Sequence, residues 1–198
     1  MNKPLGDTHR HFLVLKELAR NPRGVGSVCP SSAALAHEMA RAVPVRARHD
    51  DVFIEIGAGT GPVTAALLQR GVPSDRLIVI EKSPALAECL ASRFPQVKVS
   101  CLGAEYMSEC LNGGERVRAI VSSLPFRSLP GALTRSIMAE IERVLAPRGF
   151  FIQFTYALAG EMRFITPGFK KLRSNIVFRN LPPAKVEVYM KPRPLNRR

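Results

Sequence analysis

Four cysteines occur in 198 residues: Cys29, Cys89, Cys101 and Cys110. They form no C-x-x-C pair and have no histidine cluster beside them, so zinc frameworks are excluded and no metal site is expected. The sequence reads without a secretory signal, so scattered reduced thiols in a cytoplasmic protein are expected. Long hydrophobic runs are missing too. The longest charge-free apolar stretch near the end, GFFIQFTYALAG (149–160), falls short of the ~20 residues that span a bilayer. It reads as a buried strand and the turn after it. There is no internal repeat and no long linker, which makes one domain the economical organisation. Hydrophobic residues make up 46% and charged residues 23%, a globular balance that excludes disorder of the whole chain.

Acidic residues are scarce only at the two ends. The net charge is +13. Residues 1–48 hold eight Lys/Arg against three Asp/Glu, residues 49–160 hold eleven of each, and residues 161–198 hold ten against two. A neutral middle with basic flanks points to a core that meets a polyanion through its termini. Nucleic acid and an anionic membrane surface both qualify. A solvated basic tail is the plainer reading of KPRPLNRR.

Two helices are expected before the core. In THRHFLVLKELAR (8–20), Phe12, Val14, Leu15, Leu18 and Ala19 share one side at roughly 100° per residue, with Lys16 and Arg20 on the other and Leu13 among them. Such a basic amphipathic helix either packs on its own domain or lies on a membrane surface. PSSAALAHEMARAV (30–43) is a second helix with Ser31 or Ser32 as N-cap. Residues 1–48 are thus read as a helical extension and residues 49–198 as the core.

From there strands and helices alternate. Strands are expected at VFIEI (52–56), RLIVIE (76–81), VKVSCL (97–102), AIVSS (119–123) and FFIQFTY (150–156). Helices are expected at GPVTAALLQRG (61–71), SPALAECLASRF (83–94, capped by Ser83) and LTRSIMAEIERVLA (133–146, stopped by PRG). SNIVFRN (174–180) and AKVEVYM (184–190) read as a closing hairpin. This alternation specifies an α/β fold, a mostly parallel sheet covered on both faces, with an antiparallel edge.

VFIEIGAGTGPVT joins the first strand to a helix and reads G-x-G-x-G at Gly57, Gly59 and Gly61. A dinucleotide loop needs glycine at position 62, where this chain has Pro62, a good first helical residue. Glu55 precedes the loop and Glu81 ends the next strand, where a ribose diol would be held. A tight turn without ligand is the plainer alternative.

EIGAGTG with Glu81 resembles the class I S-adenosylmethionine-dependent methyltransferases. The resemblance implies a seven-stranded Rossmann-like sheet with S-adenosyl-L-methionine over the C-terminal ends of the first strands. It implies that Glu55 orients the glycine loop or meets the cofactor's charged methionine part. Gly57, Ala58, Gly59 and Gly61 would allow close approach, and Glu81, followed by Lys82, would take the ribose hydroxyls. The third-strand acid of many members falls on Ala104, with Glu105 beside it; backbone contacts there or the Glu105 carboxylate would hold the adenine.

After the fourth strand, adenine dimethylases resemble Asn-Leu-Pro-Tyr, where the Asn and a backbone carbonyl hold the amine. This chain has Ser123-Leu124-Pro125-Phe126. Together with NPRGVGSVCPSSAALA, QFTY and FRNLPPAKVEVY it resembles the bacterial phospholipid N-methyltransferases, from about residue 12 to 190. Those enzymes convert phosphatidylethanolamine to phosphatidylcholine. The resemblance implies a peripheral enzyme at the inner face of the cell membrane; the sequence leaves the oligomeric state open, with a monomer expected. Phe12, Leu15, Lys16 and Arg20 would contact the anionic surface. Ser122 and Ser123 would position the amine or the methionine part, Tyr156 would contact the amine, Leu124 and Phe126 would meet substrate, and Arg179 would pair with the lipid phosphate; the plainer alternatives are turn capping for the serines, core packing for Leu124, Phe126 and Tyr156, and a solvated strand end for Arg179. The rival readings are an RNA adenine N-methyltransferase and a cofactor-binding protein without catalysis.

Overall fold

The computed structural model describes residues 32–46, 48–159 and 164–193. The first expected helix, with Phe12, Leu15, Lys16 and Arg20, lies outside the described residues, as does the end of the basic tail. The elements run α1 (Ala33–Arg41), β1 (Asp51–Ile56), α2 (Pro62–Gln69), β2 (Leu77–Ile80), α3 (Pro84–Arg93), β3 (Lys98–Ser100), β4 (Arg116–Ser122), α4 (Gly131–Val144), β5 (Leu145–Thr155), β6 (Lys170–Val177) and β7 (Ala184–Met190). They build one seven-stranded sheet in the order β3-β2-β1-β4-β5-β7-β6, with β7 antiparallel to both neighbours. The chain moves outward from β1 to β2 and β3, then returns to β4 on the other side of β1. That reversal leaves a crevice at the C-terminal ends of β1 and β4, where α/β sheets bind ligands.

Side-chain alternation sorts the core into two layers. Phe53, Val79, Val121 and Ile152 pack with Leu35 and Met39 of α1, Leu67 of α2 and Leu90 of α3. Ile54, Ile56, Ile80, Ile120 and Phe151 pack with Ile137 and Ile141 of α4 and with Met107. Successive residues of a strand point to opposite faces, so the central strands β1, β2, β4 and β5 feed both layers and are largely apolar, whereas edge strand β6 is mostly exposed. The α1 helix shares the core of the sheet, so the described part of residues 1–48 belongs to the same packed body as the strands.

Ser32 caps α1: its Oγ accepts the Leu35 amide at 3.2 Å. Ser83 stands at the cap position of α3 but makes no side-chain capping bond, contrary to expectation. Pro84, at the first helical position with its backbone φ preset, opens that helix instead. The PRG stop also differs. The α4 helix ends at Val144, and Pro147-Arg148-Gly149 lies inside β5. Val117 pairs with Leu145 and Ala119 with Phe150, so the intervening residues bulge, with Arg148 at a φ of 64°. Hydrogen bonds with Lys191 hold the bulge and let strand pairing run through it.

Candidate active site

The glycine loop follows from the burial of β1. All six residues of the strand are buried, and its end must turn sharply to start α2. Gly57, Gly59 and Gly61 all have positive φ. At Gly61 space is closed as well: an added Cβ would lie 2.8 Å from Leu90 Cδ2 and 2.7 Å from Phe94 Cε2. At Gly57 it would run into Leu124 of the loop after β4. At Gly59 it would meet nothing within 4 Å, so the backbone there borders open space.

Two carboxylates support this loop. Glu55 is fully buried, and Thr64 of α2 donates its hydroxyl to Glu55 Oε2 at 2.7 Å. The other oxygen, Oε1, has no partner. Burial pushes the Glu55 carboxyl up to about 7, against the lowering pull of the Thr64 hydrogen bonds and with added repulsion from Glu81. Glu81 is buried at the end of β2 and bridges two amides, accepting Gly59 N–H and Ser83 N–H at 2.9 Å each. Each of its oxygens keeps a second lone pair for a further donor. Lys82 is exposed beside it.

Beyond β3, Ala104 is buried against the α4 layer and opens the turn Ala104–Cys110. Glu105 is half-buried, with its carboxyl folded back over Gly103.

The loop after β4 closes the other side. Ser122 Oγ accepts the Leu124 amide at 3.2 Å. The Ser123 amide donates to the Ile56 carbonyl at 3.0 Å, while its Oγ is buried without a partner. The Leu124 carbonyl accepts two donors, Phe126 N–H at 3.0 Å and Gln153 Nε2 at 2.9 Å. Next to this loop lies a cavity of about 230 Å³, walled by Pro125, Phe126, Gln153, Thr155, Tyr156 and Phe164 among others. Phe126 is both wall and core: it stacks on Phe164 at 4.7 Å and meets Phe151 edge-on at 6.3 Å. Tyr156, 36% exposed, packs edge-on against Phe154 at 5.4 Å. Arg179 is not in this wall; it sits exposed in the turn between β6 and β7.

Three relevant side chains escaped the sequence reading: Thr64, Gln153 and Phe164. Gln153 Nε2 donates to the carbonyls of Leu124 and of Phe154, at 2.9 and 2.7 Å. Two carbonyls around one end of the amide identify that end as nitrogen. Its Oε1 is therefore an acceptor, buried without a partner in a residue of the cavity wall. The available signal was its being the sole polar residue in FFIQF.

A family model described as a methyltransferase domain matches residues 53–149. An N-methyltransferase from Bradyrhizobium japonicum WM9, NodS, solved with S-adenosyl-L-homocysteine, has a TM-score of 0.66 at 14% identity, covering 93% of this chain and 99% of that one. A 1,6-didemethyltoxoflavin-N1-methyltransferase from Burkholderia thailandensis, solved with S-adenosylhomocysteine, has a TM-score of 0.63 at 20% identity, covering 98% and 94%. The ornithine lipid N-methyltransferase of Singulisphaera acidiphila is 33% identical over 178 residues, which is 87% of this chain and 92% of that protein. The chain belongs to the class I S-adenosylmethionine-dependent methyltransferases. Its cofactor is S-adenosylmethionine. The residues fit that molecule: open space over Gly59 admits it, Glu55 Oε1 is an unpaired acceptor for an ammonium, and Glu81 has lone pairs left for hydroxyls.

Proposed function

We propose that this chain is an aminolipid N-methyltransferase. It methylates the primary amine of phosphatidylethanolamine, and then its mono- and dimethyl forms, toward phosphatidylcholine at the inner face of the cell membrane. The observation that carries this reading is the apolar cavity beside the β4 loop, with the buried acceptors Gln153 Oε1 in its wall and Ser123 Oγ in that loop. The Singulisphaera relative supports it, since an ornithine lipid also presents an amine on an acyl-bearing headgroup.

S-adenosylmethionine supplies an electrophilic methyl group on a sulfonium. The chain supplies position and dryness. Glu55 holds the ammonium of the cofactor's methionine part, Glu81 its ribose, and the backbone around Gly59 lets it lie close. Contacts near Ala104 and Glu105 hold the adenine. Ser123 Oγ and Gln153 Oε1 accept N–H bonds from the lipid amine and aim its lone pair. A protonated amine has no lone pair, and the apolar wall disfavours the charged form. Tyr156 stands between cavity and solvent, where its hydroxyl passes the proton to water. Phe126 and Tyr156 tolerate the increasingly bulky, finally cationic product. Arg179 pairs with the lipid phosphate.

The Leu124 carbonyl bears on the RNA alternative. In adenine dimethylases a carbonyl at this place receives the base amine; here Gln153 and Phe126 take up both of its lone pairs. That favours a lipid over a flipped base.

Labelled S-adenosylmethionine is offered with phosphatidylethanolamine vesicles, ornithine lipid vesicles and total RNA. Label in phosphatidylethanolamine and none in RNA is expected. Label in ornithine lipid alone reassigns the acceptor, and label in RNA alone overturns the reading. No label despite cofactor binding favours a non-catalytic protein.

A further inference from the structure

The turn between β6 and β7, residues 178–183, contributes nothing to the cavity wall. Its place is nevertheless informative. Antiparallel pairing puts Lys185 beside Thr155, at the C-terminal end of β5. The turn therefore projects from the same edge of the sheet as the glycine loop, Ser123 and Tyr156.

Two large apolar side chains there face solvent. Phe178 is 75% exposed and Leu181 86%. They do not sit on a loose loop. Asn180 between them is buried, and its Nδ2 donates to the Pro182 carbonyl at 2.7 Å. Its Oδ1 accepts the Ser32 amide at 3.1 Å, which clamps the turn to the start of α1. Phe178 and Leu181 are thus held in water by a braced backbone. Their exposure brings no packing gain to the fold, and clustered apolar exposure of this kind marks an interaction site.

Charge complements this. Residues 170–186 carry five Lys/Arg and no Asp or Glu. Glu187 pairs with Lys171 at 2.6 Å and Lys185 at 3.2 Å, and Arg173 stands 3.8 Å from Glu38. Arg179 stands exposed in the turn itself, and Leu172 and Ile176 are exposed along β6, whereas exposed Lys170 lies at the far end of that strand, opposite Met190. Apolar anchors with an exposed cation between them match an anionic bilayer: Phe178 and Leu181 enter the acyl boundary and Arg179 meets headgroups.

We propose that the β6–β7 turn is a membrane-docking element, with Phe178 and Leu181 inserted into an anionic bilayer surface and Arg179 at the phosphate level. This turns the C-terminal edge of the sheet toward the bilayer, so that a headgroup reaches the cavity with its acyl chains still in the membrane. The inference rests on the aminolipid reading, but its test does not require methyl transfer.

The chain has no tryptophan, so Phe178→Trp installs a sole tryptophan at the tip, excited selectively at its red edge apart from the tyrosines. Asp75→Trp, in the turn before β2 at the opposite edge, is the control. With vesicles of equal parts phosphatidylglycerol and phosphatidylcholine, the tip emission is expected to shift to the blue and the control to stay unchanged. The double variant Phe178→Ser/Leu181→Ser is expected to lower vesicle partitioning about tenfold or more, with unchanged S-adenosylhomocysteine affinity and unchanged transfer to a short-chain, water-soluble phosphatidylethanolamine. Unchanged partitioning, or a tip shift with RNA and none with vesicles, overturns the proposal. If the wild type methylates no lipid yet the tip variant detaches, docking stands and the aminolipid reading falls. If lipid is methylated and the tip variant still binds, the reverse holds.

Discussion

Glu55 is the residue with the most to say about pH. Its carboxyl is fully buried and titrates near 7, well above the ordinary 4.5, chiefly through burial. A raised carboxyl pKa means that the native state prefers the proton. The penalty for ionising it is absent below about 4.5, grows as pH rises toward 7 and is constant above that. Glu55→Gln is therefore expected to gain about 2 kcal/mol relative to wild type between pH 5 and pH 8. Urea unfolding at the two pH values measures it, and parallel curves would refute it. If Glu55 holds the ammonium, that charge favours the ionised form, so wild-type affinity for S-adenosylhomocysteine is expected to rise through pH 7 and that of the variant to lose this rise. Gln153 is read by a different signal. Gln153→Leu removes one donor from the Leu124 carbonyl and the buried Oε1 acceptor. A fall in kcat of about tenfold or more, with S-adenosylhomocysteine affinity unchanged, is the expected result.

At the scale of elements, the strand-loop-helix unit from β1 to α2 imposes two separate demands on its glycines. Gly59 needs a φ of 59° beside open space, whereas Gly61 needs a φ of 85° and also the room taken by Leu90 and Phe94 of α3 and its C-cap. Gly59→Ala then costs backbone strain alone, about 1 kcal/mol, and harms cofactor binding more than stability. Gly61→Ala adds overpacking between α2 and α3, for a total of about 3 kcal/mol. Comparing denaturation midpoints with S-adenosylhomocysteine titrations separates the two; equal stability losses would show that the α2–α3 contact does not matter. The loop after β4 is an element of the same kind. Its greasy residues are divided between covering Gly57, in the case of Leu124, and walling the cavity, in the case of Phe126.

For the whole molecule, the candidate site lies at one edge of the sheet and the charge excess in the two ends of the chain. No described helix is long and apolar enough to cross a membrane. The basic flanks carry the +13 excess over a neutral middle, so binding to an anionic surface would be largely screened once the Debye length falls from about 10 Å at 0.1 M salt to about 3 Å at 1 M. Vesicle partitioning is expected to weaken by about tenfold or more across that range, while S-adenosylhomocysteine affinity, set by short-range contacts, changes little. Salt-independent partitioning would transfer the whole interaction to apolar insertion.

The sequence alone determined whatever depends on neighbours along the chain. The strand alternation, the turn at GAGTG, the helix start at Pro62 and the acids at Glu55 and Glu81 are local requirements of backbone geometry and burial, legible in a few residues each. Tertiary structure decided what depends on register and closure. Gln153 became an acceptor in the cavity wall because β4–β5 pairing sets it beside Ser122, within reach of the Leu124 carbonyl. The PRG stop was absorbed into β5 because pairing continued on both sides of the bulge. Arg179 stands apart from the cavity, and Phe178 and Leu181 face solvent, because Asn180 ties their turn to α1, 148 residues earlier at Ser32. A contact across that separation leaves no periodicity or motif at either end, and only folding brings its two halves together.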